Sequence, residues 1–285
     1  MQVAETHIAI ALKVPIRLQE YAVGIFKTIP TKSGIKKAIK KRLVFVDGAE
    51  ASTALFIHGG ETIELFQLET EINFNRLKYP LEVLFEDDFL AVIYKPSGIL
   101  VSGNKFVTIA NALTQNLQKS SEADAVKPQP IHRLDYPTSG VLMIGKTSAA
   151  ITALSQLFET KNIQKTYHAI CIGEMVTSGS INTPIENKAS QSDFEVLQTV
   201  DSLRFKHLNL VKLSPKTGRR HQLRIHLSSI RNQILGDKEY GNSLLFLKGK
   251  GLYLHASSLE FQHPFSNEII SVTKDIPKKF KSIFP

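Results

Sequence analysis

Apolar residues occur along this chain in short runs separated by polar turns, and their spacing predicts different elements in different parts of the chain. From Leu81 onward, strand-like runs such as LEVLFEDD and FLAVIYKPSGILV alternate with loops, TIANALTQNLQ has helical spacing, and VLMI at 141–144 is a further strand. Few β-α-β units fit this order. The pattern predicts an α+β fold with a mainly antiparallel mixed sheet flanked by helices and loops.

The first part of the chain has a separate pattern. Ile35, Ala38 and Ile39 recur at helical spacing, and a strand at 43–46, an Asp-Gly turn and the strand-like GGETIELF follow. The stretch QLETEINFNRLKYP at 67–80 has no strong period and ends in proline, which is typical of a linker. We therefore predict four segments: an N-terminal segment at 1–15, a small domain at 16–66, a linker at 67–80 and a larger domain at 81–285.

The other face of the predicted N-terminal helix is basic. Lys36 and Lys40, like Lys37 and Lys41, are four residues apart, and no acidic residue interrupts the stretch. Like charges at this spacing repel each other. A phosphate backbone would compensate them, and the release of its counterions would add to affinity. The alternative is a solvated basic face that binds nothing.

Composition narrows the class of protein. The chain has 35 Lys and Arg against 26 Asp and Glu, a net charge of +9 that favours a polyanionic partner. Cys171 is the one cysteine, so an intrachain disulfide and a thiolate-rich metal site are excluded. No apolar run approaches the roughly 20 residues that span a bilayer, and the N-terminus has no signal-peptide pattern. We expect a soluble cytoplasmic protein with no membrane partner.

The stretch HRLDYPTSG at 132–140 carries the most informative carboxylate, Asp135. One interpretation is an ordinary solvated turn, because its residue types are common in turns. The other is a reactive carboxylate on a constrained loop. Burial raises the pKa of a carboxyl group, so a reactive buried carboxylate needs a cation beside it. The basic stretch KTGRRHQLRIHL at 216–227 could supply one, and its pattern fits either a helix or a strand.

The segment HRLDYPTSGVLMIGK resembles the signature loop of the RluA-type pseudouridine synthases. Four further segments are similar to that family in the expected order: KPSGILV, KTYHAICIGE, KTGRRHQLRIHL, and GDKEYG together with LHASSLEFQHP. Together they cover nearly all of 81–265. The N-terminal stretches RLQEY, SGIKKAIKKRLVFVDG and GGETIEL resemble the small αL RNA-binding domain called S-four. The resemblance implies a pseudouridine synthase fold preceded by such a domain.

The resemblance also implies roles for particular residues. Asp135 would be the catalytic carboxylate, Arg224 its partner through two hydrogen bonds, and Tyr167 the ring that stacks on uracil, with its hydroxyl taking part in removing the base proton. Arg133 would fill the space left by an extruded base. The remaining RNA contacts implied are His132, Arg219, Arg220, Lys36, Lys37, Lys40 and Lys41. For His132, a backbone hydrogen bond that fixes the loop is the alternative.

The implied reaction is the isomerisation of uridine to pseudouridine in structured RNA, either ribosomal RNA of the large subunit or transfer RNA. It needs no redox change, so we expect no cofactor and no metal; His221 and His226 are spaced for neither a helical nor a strand pair. Asp135 would either attack the anomeric carbon or take a proton from the ribose. A monomer is expected.

Two other functions remain open at this point. A non-catalytic RNA-binding or ribosome-assembly factor could keep the same fold. A glycosidase-like hydrolase would need two carboxylates near the scissile bond, and Glu159 and Asp237 are available for that role.

Overall fold

The computed structural model describes residues 2–67, 77–245, 247 and 249–284. The chain divides into two compact units, Met1–Arg76 and Leu77–Pro285. Most of the predicted linker, at 68–76, lies outside the described residues. Among the described residues, no helix is long and apolar enough to cross a membrane.

The N-terminal unit is a small sheet packed with two helices. Its elements are β1 (Gln2–Ile8), β2 (Ile16–Arg17), α1 (Leu18–Tyr21), α2 (Lys32–Lys40), β3 (Val44–Val46), β4 (Ala49–Glu50), β5 (Phe56–Ile57) and β6 (Thr62–Gln67). The strands form an antiparallel sheet in the order β1-β6-β3-β4, and β2 pairs with β5. The edge strand β1 comes from the segment that the sequence pattern left outside the small domain.

Helix α2 begins where its sequence allows capping. The Thr31 side chain accepts a hydrogen bond from the Gly34 amide, which satisfies one of the unpaired donors of the first turn. Ile35, Ala38 and Ile39 are buried, as their spacing predicts. The predicted helix at this position is therefore confirmed, with the lysines on its exposed face.

The second unit is built on one large sheet. Its strands are β7 (Glu82–Glu86), β8 (Leu90–Lys95), β9 (Ala125–Pro130), β10 (Ser139–Thr147), β11 (Ile163–Ile172), β12 (Ser178–Ile181), β13 (Ser192–Ser202), β14 (Lys206–Pro215), β15 (Leu254–Gln262) and β16 (Ile269–Thr273). Its helices are α3 (Ile109–Asn116), α4 (Ser148–Glu159), α5 (Gln222–Ser229) and α6 (Lys278–Lys281), with a 3-10 turn at Ser243–Leu245.

The strand order is β12-β13-β14-β11-β15-β10-β8-β7, with β16 beside β15 and β9 beside β10. Among the described strands, β10 and β15 run parallel and the other paired strands are antiparallel. The predicted α+β fold with a mainly antiparallel mixed sheet is thus confirmed. The sequence pattern had not indicated a strand at Ala125–Pro130, which forms β9.

The parallel contact between β10 and β15 depends on a glycine. Gly140 has a φ of 134°, and a Cβ at this position would collide with the carbonyl oxygen of Ala256. Gly140 pairs with Ala256 where the strands meet, directly after the HRLD loop. The close approach of the two strands therefore fixes the end of that loop.

Two apolar clusters lie along this sheet. One centres on β8 and β10 and the other on the β11–β14 pair and α5. Tyr167 packs against both clusters. The HRLD loop and α5 thus meet where the two clusters adjoin.

Candidate active site

Hydrogen bonds hold the backbone around Asp135 in place. The Thr138 amide donates to the Asp135 carbonyl at 3.0 Å, and the Gly98 amide donates to the Tyr136 carbonyl at 2.8 Å. The fully buried Lys95 ammonium donates to the carbonyl oxygens of Thr138 at 2.7 Å and Pro96 at 3.0 Å. The loop is therefore held in one conformation, and the Asp135 side chain is 17% exposed.

Lys95 sits behind this loop with carbonyl oxygens as its hydrogen-bond partners. Burial lowers the pKa of Lys95 to about 8, and the negative charge of Asp135 acts in the opposite direction. The ammonium thus ties the KPSG segment to the HRLD segment and lies within the field of the carboxylate. This explains physically why both segments belong to one site.

Two residues at the start of α5 face the Asp135 carboxylate. The Arg224 Nη1 atom is 3.6 Å from Asp135 Oδ2, and His221 Nε2 is 3.5 Å from Asp135 Oδ1. His221 adopts a left-handed φ of 52° immediately before the helix. The stretch that fitted either a helix or a strand is a helix, and its first turn points two nitrogen-bearing side chains at the carboxylate.

The prediction that Arg224 binds Asp135 through two hydrogen bonds is wrong. The Arg224 guanidinium instead donates from Nε and Nη2 to the two carboxylate oxygens of Asp237, both at 2.7 Å. Nη2 also donates to Glu239 Oε2 at 3.2 Å. Asp237 lies directly behind the guanidinium, so Arg224 reaches Asp135 with its remaining nitrogen only.

Asp237 is itself fixed by the backbone. Its Oδ1 atom accepts from the amides of Glu239 at 3.0 Å and Tyr240 at 3.1 Å, and its side chain is 1% exposed. Burial alone would raise the pKa of Asp237, but the hydrogen bonds from Arg224 and these two amides hold it below its usual value. The Tyr240 ring lies 4.9 Å from the Arg224 guanidinium carbon. These contacts set the position of Arg224.

No sequence pattern had indicated the supporting layer, the group of residues that holds the Arg224 side chain. Asp237, Glu239 and Tyr240 belong to the segment GDKEYG, for which the resemblance implied no residue roles, and Asp237 was considered only as a carboxylate of the alternative hydrolase. The His221 ring is part of the layer too, because its Nδ1 atom lies 2.9 Å from the Tyr240 hydroxyl and 3.4 Å from Glu239 Oε1. The one sequence signal present was an acidic residue thirteen positions after Arg224.

The two histidines of α5 have different surroundings. His226 is buried against the hydroxyls of Ser190 and Ser192, at 3.0 and 2.9 Å, whereas His221 faces Asp135. Across residues 2–67, 77–245, 247 and 249–284, no three His, Cys, Asp or Glu side chains are arranged to hold a metal ion.

Asp135 lies on the wall of a cavity of about 640 Å³. Tyr167, on β11, lines the same cavity, and burial followed by the nearby Asp135 charge raises the pKa of its hydroxyl. Tyr167 therefore carries its proton at neutral pH. The structure brings Asp135, Tyr167 and Arg224 to one cavity, with the carboxylate, the phenol and the guanidinium on its lining.

The other residues singled out in the catalytic unit also line this cavity. Arg133 is exposed. His132 accepts a hydrogen bond from the Met143 amide at 3.1 Å and packs its ring 4.7 Å from that of Phe158. Burial, then the charge of Lys165, lower the pKa of His132 to about 3. His132 is therefore a neutral acceptor that fixes the loop, the alternative weighed for it above.

Arg219 and Arg220 are exposed on the segment before α5. The Arg219 guanidinium donates from Nε and Nη2 to the Ala189 carbonyl, at 3.2 and 3.1 Å, which leaves Nη1 for another partner. In the N-terminal unit, Lys36, Lys37, Lys40 and Lys41 are exposed, and the described residues place no carboxylate within 4.0 Å of them.

Comparison with known proteins agrees with this geometry. The family model described as RNA pseudouridylate synthase matches residues 89–229. The chain is 31% identical over 278 residues to ribosomal large subunit pseudouridine synthase D of Xanthomonas campestris, covering 89% of this chain and 83% of that protein. It is also 31% identical over 282 residues to an uncharacterized RNA pseudouridine synthase of Aquifex aeolicus, covering 89% and 88%.

A solved structure gives the same result. Human RNA pseudouridylate synthase domain containing 4 superposes with a TM-score of 0.58 at 25% identity, covering 70% of this chain and 90% of that one. With its carboxylate loop, its mainly antiparallel sheet and relatives that match along nearly their whole length, this chain belongs to the RluA-type family of RNA pseudouridine synthases and is an isomerase that converts uridine in RNA to pseudouridine.

Proposed function

We propose that this enzyme modifies specific uridines of large-subunit ribosomal RNA, and that the Asp135 carboxylate acts on the ribose of the target nucleotide. The observation that carries the proposal is the position of Asp135 on the cavity wall, 3.6 Å from Arg224 and 3.5 Å from His221. At this position the carboxylate borders the space that a nucleoside can occupy and faces a guanidinium and an imidazole that restrict its orientation.

The cavity suits an unstacked nucleoside. Its volume of about 640 Å³ lies within the range usual for small-molecule sites, and it combines the apolar side chains of Leu134, Phe158 and Leu254 with polar groups. A base can enter such a cavity only after leaving its stack, which costs a few kcal/mol. In this proposal the Arg133 side chain, which is exposed and lies two residues before Asp135, fills the vacated position in the RNA.

The reaction breaks the bond between ribose C1′ and uracil N1 and forms a bond between C1′ and C5. Asp135 acts at the sugar, as nucleophile on C1′ or as base on the ribose, and the geometry serves both routes because either one needs an ionised carboxylate. The C5 proton leaves after the new bond forms, and N1 gains a proton, so the product is an isomer of the substrate. The Arg224 Nη1 atom limits the positions that the carboxylate can take.

Tyr167 contributes a ring that binds uracil and a hydroxyl that takes part in the reaction. Because its hydroxyl holds its proton at neutral pH, it acts first as a hydrogen-bond donor and a stacking surface for uracil. It can accept the C5 proton only if its own proton moves away in the same step. Tyr167→Phe should therefore retain RNA binding and lose turnover.

Support for ribosomal RNA comes from the relatives. Besides the protein of Xanthomonas campestris, a protein of Vibrio vulnificus that is 29% identical over 287 residues is named ribosomal large subunit pseudouridine synthase D. Transfer RNA is an outcome that the experiment below would reveal.

In this proposal the N-terminal unit is an S-four-like RNA-binding module. Its exposed α2 face presents Lys36, Lys37, Lys40 and Lys41, and Arg219 and Arg220 add phosphate contacts beside the cavity. Lys32, at the start of the same helix, is neutralised by an ion pair with Glu20. The other four lysines, which have no carboxylate within 4.0 Å among the described residues, thus carry the net charge of this surface.

A hydrolytic function is disfavoured by the same contacts. Of the two extra carboxylates considered, Asp237 is bound on both oxygens by Arg224 and is 1% exposed, so it cannot activate water at a sugar. Glu159 is an exposed residue of the cavity lining. Asp237 therefore cannot serve as the second carboxylate that an inverting or a retaining glycosidase needs beside Asp135.

The test is a map of pseudouridine across cellular RNA from a strain with the gene, one without it, and deletion strains complemented with wild type or Asp135→Asn. We expect positions in large-subunit ribosomal RNA to be lost on deletion and restored by wild type only. Restoration by Asp135→Asn would overturn the role of Asp135, and losses confined to transfer RNA would overturn the choice of substrate. Free uracil released from RNA would indicate hydrolysis.

A further inference from the structure

Part of the lining of the catalytic cavity comes from the junction of α4 and β11, to which no function has yet been assigned. Its lining there includes Phe158 and Glu159 from the end of α4, Lys161 from the turn, and Lys165 from β11. This part of the lining holds two lysines and one exposed acid. Its charge is suited to an anion.

Lys165 is placed by the same strand that places Tyr167. The two residues are two apart on β11, so their side chains project from the same face about 7 Å apart along the strand. Lys165 is half-buried, with its ammonium 6.0 Å from the centre of the Phe158 ring. In the part of the chain that the structure describes, no carboxylate lies within 4.0 Å of it.

Lys161 occupies a strained backbone position. It follows the last turn of α4 with a φ of 62°, a left-handed conformation for which glycine is usual at this point of a helix. A lysine is strained in this conformation, because its Cβ lies too close to the backbone. A cation near a helix C-terminus is favourable on its own. The interaction with the helix C-terminus would be made wherever the lysine side chain pointed. It does not explain why the Lys161 side chain lines the catalytic cavity.

The two lysines influence each other. Burial, and then the positive charge of Lys161, lower the pKa of Lys165. The nearby Glu159 side chain is exposed and forms no ion pair with either lysine within 4.0 Å among residues 77–245. Two neighbouring cations without a bound carboxylate are stabilised when an anion enters between them.

We propose that Lys161 and Lys165 form a binding subsite for the phosphodiester of a nucleotide that flanks the target uridine. The inference rests on the proposed function, because it assumes that the uracil lies against Tyr167. The spacing along β11 then puts the anion at the nucleotide next to the target. The subsite would hold the RNA backbone on one side of the extruded base, while Arg133 occupies the gap that the base leaves in the RNA.

The first test compares Lys161→Gln/Lys165→Gln with Lys127→Gln, in which an exposed lysine of β9 outside the cavity is changed. Binding to a large-subunit ribosomal RNA transcript is measured over a range of salt concentrations. We expect the double variant to lower the slope of log affinity against log salt by about 0.7, because the two lysines share one phosphodiester and each phosphate left unneutralised on a single strand removes about 0.7. Lys127→Gln should keep the wild-type slope. An unchanged slope in the double variant would overturn the subsite.

The second test identifies the contacted group. Short RNAs that contain the modified uridine carry one neutral methylphosphonate at each flanking position in turn. We expect one position to weaken binding about tenfold for wild type and to have no effect for the double variant. Equal sensitivity of both proteins at every position would show that the lysines contact something other than a phosphodiester.

The two proposals fail in different ways. If wild type forms no pseudouridine in the ribosomal transcript, the choice of RNA is wrong, and the same salt series is then run on total RNA from the deletion strain. A reduced slope there supports the subsite, and an unchanged slope overturns it. Circular dichroism of the double variant, with Lys161→Gly as a second variant that relieves the strained backbone, separates loss of the cation from loss of folding.

Discussion

The cluster around Asp135 and the exposed face of α2 are both rich in charge, but their surroundings are opposite. In the cluster, Arg224 is 5% exposed and is bound by Asp237 on two nitrogens, so each charge has a fixed partner. At α2 and its C-cap, four lysines face solvent, and no carboxylate of the described residues lies within 4.0 Å of them. Buried and paired charges hold a geometry, whereas exposed and unpaired ones attract a polyanion. The difference suggests that one region performs the reaction and the other retains the RNA.

The largest expected effect comes from the cluster's centre. Asp135→Asn keeps the size of the side chain but removes the charge, so pseudouridine formation should fall by about 10³-fold or more. RNA affinity should change less than about threefold, because no phosphate contact is lost. Single-turnover assays and filter binding on the same preparation measure both quantities. A parallel fall in affinity would show that the carboxylate serves binding.

The next effect concerns the residue that positions Arg224. Asp237→Asn removes one of the charged partners of the guanidinium, which is then free to leave Asp135. Misplacement on the scale of 1 Å can cost about 100-fold in rate, so we expect kcat to fall by about 10- to 100-fold with KM for RNA nearly unchanged. The free energy of unfolding should also fall by about 3 to 5 kcal/mol.

The exposed ion pair between Asp275 and Lys281 provides the control. Asp275→Asn should change stability by less than about 1 kcal/mol and leave kcat unaltered. If Asp237→Asn proves poorly folded, Arg224→Lys keeps the charge with a different geometry and should lower kcat in a folded protein. Wild-type kcat in Arg224→Lys would contradict the positioning role.

The third effect belongs to the basic face. Changing Lys36, Lys37, Lys40 and Lys41 to Gln together should weaken RNA binding on the order of 10- to 100-fold and reduce its salt slope by about 0.7 to 0.9 for each lysine that contacts a phosphate. Turnover at saturating RNA should remain near wild type. Helicity of α2 should persist, because Ile35, Ala38 and Ile39 stay buried. An unaltered salt slope would remove this face from the RNA contacts.

The smallest effect on the reaction is expected from the histidine that fixes the loop. The pKa of His132 is about 3 in the folded protein and about 6.5 when unfolded, so the unfolded chain binds a proton first as pH falls. Stability that His132 contributes above pH 6.5 is therefore lost progressively towards pH 3.

His132→Gln keeps an acceptor for the Met143 amide but has no group that binds a proton. Between pH 7 and pH 5, its free energy of unfolding should therefore fall by about 1 to 2 kcal/mol less than that of wild type. Urea unfolding at the two pH values measures the difference, and turnover at pH 7 should be nearly unchanged. Equal losses in the two proteins would show that His132 is not a buried neutral acceptor.

Periodicity and turn chemistry predicted much of the fold. The spacing of Ile35, Ala38 and Ile39 located α2, and the alternating runs after Leu81 indicated a mainly antiparallel sheet. The strand β9 was missed because Lys127, Pro128 and Gln129 are typical of loops, and such residues are tolerated where a strand lies at a sheet margin.

The carboxylate loop was located from its sequence, but the support behind it was not. Arg224 meets Asp237 across a turn in which the Glu239 and Tyr240 amides bind the acid, and such a turn has no periodic signature. Which carboxylates bind the Arg224 guanidinium depends on how α5, the carboxylate loop and the turn at Asp237 come together. The strained position of Lys161 likewise becomes visible only in the backbone dihedral angle.

The central claim is that the buried cluster carries out the isomerisation and that α2 retains the RNA. The most direct measurement is single-turnover pseudouridine formation as a function of RNA concentration for wild type, Asp135→Asn and the four-lysine variant in one series. The account predicts that the plateau rate collapses only in Asp135→Asn and that the half-saturating RNA concentration rises only in the four-lysine variant. A plateau in Asp135→Asn within tenfold of wild type, or a plateau that collapses in the four-lysine variant, would contradict it.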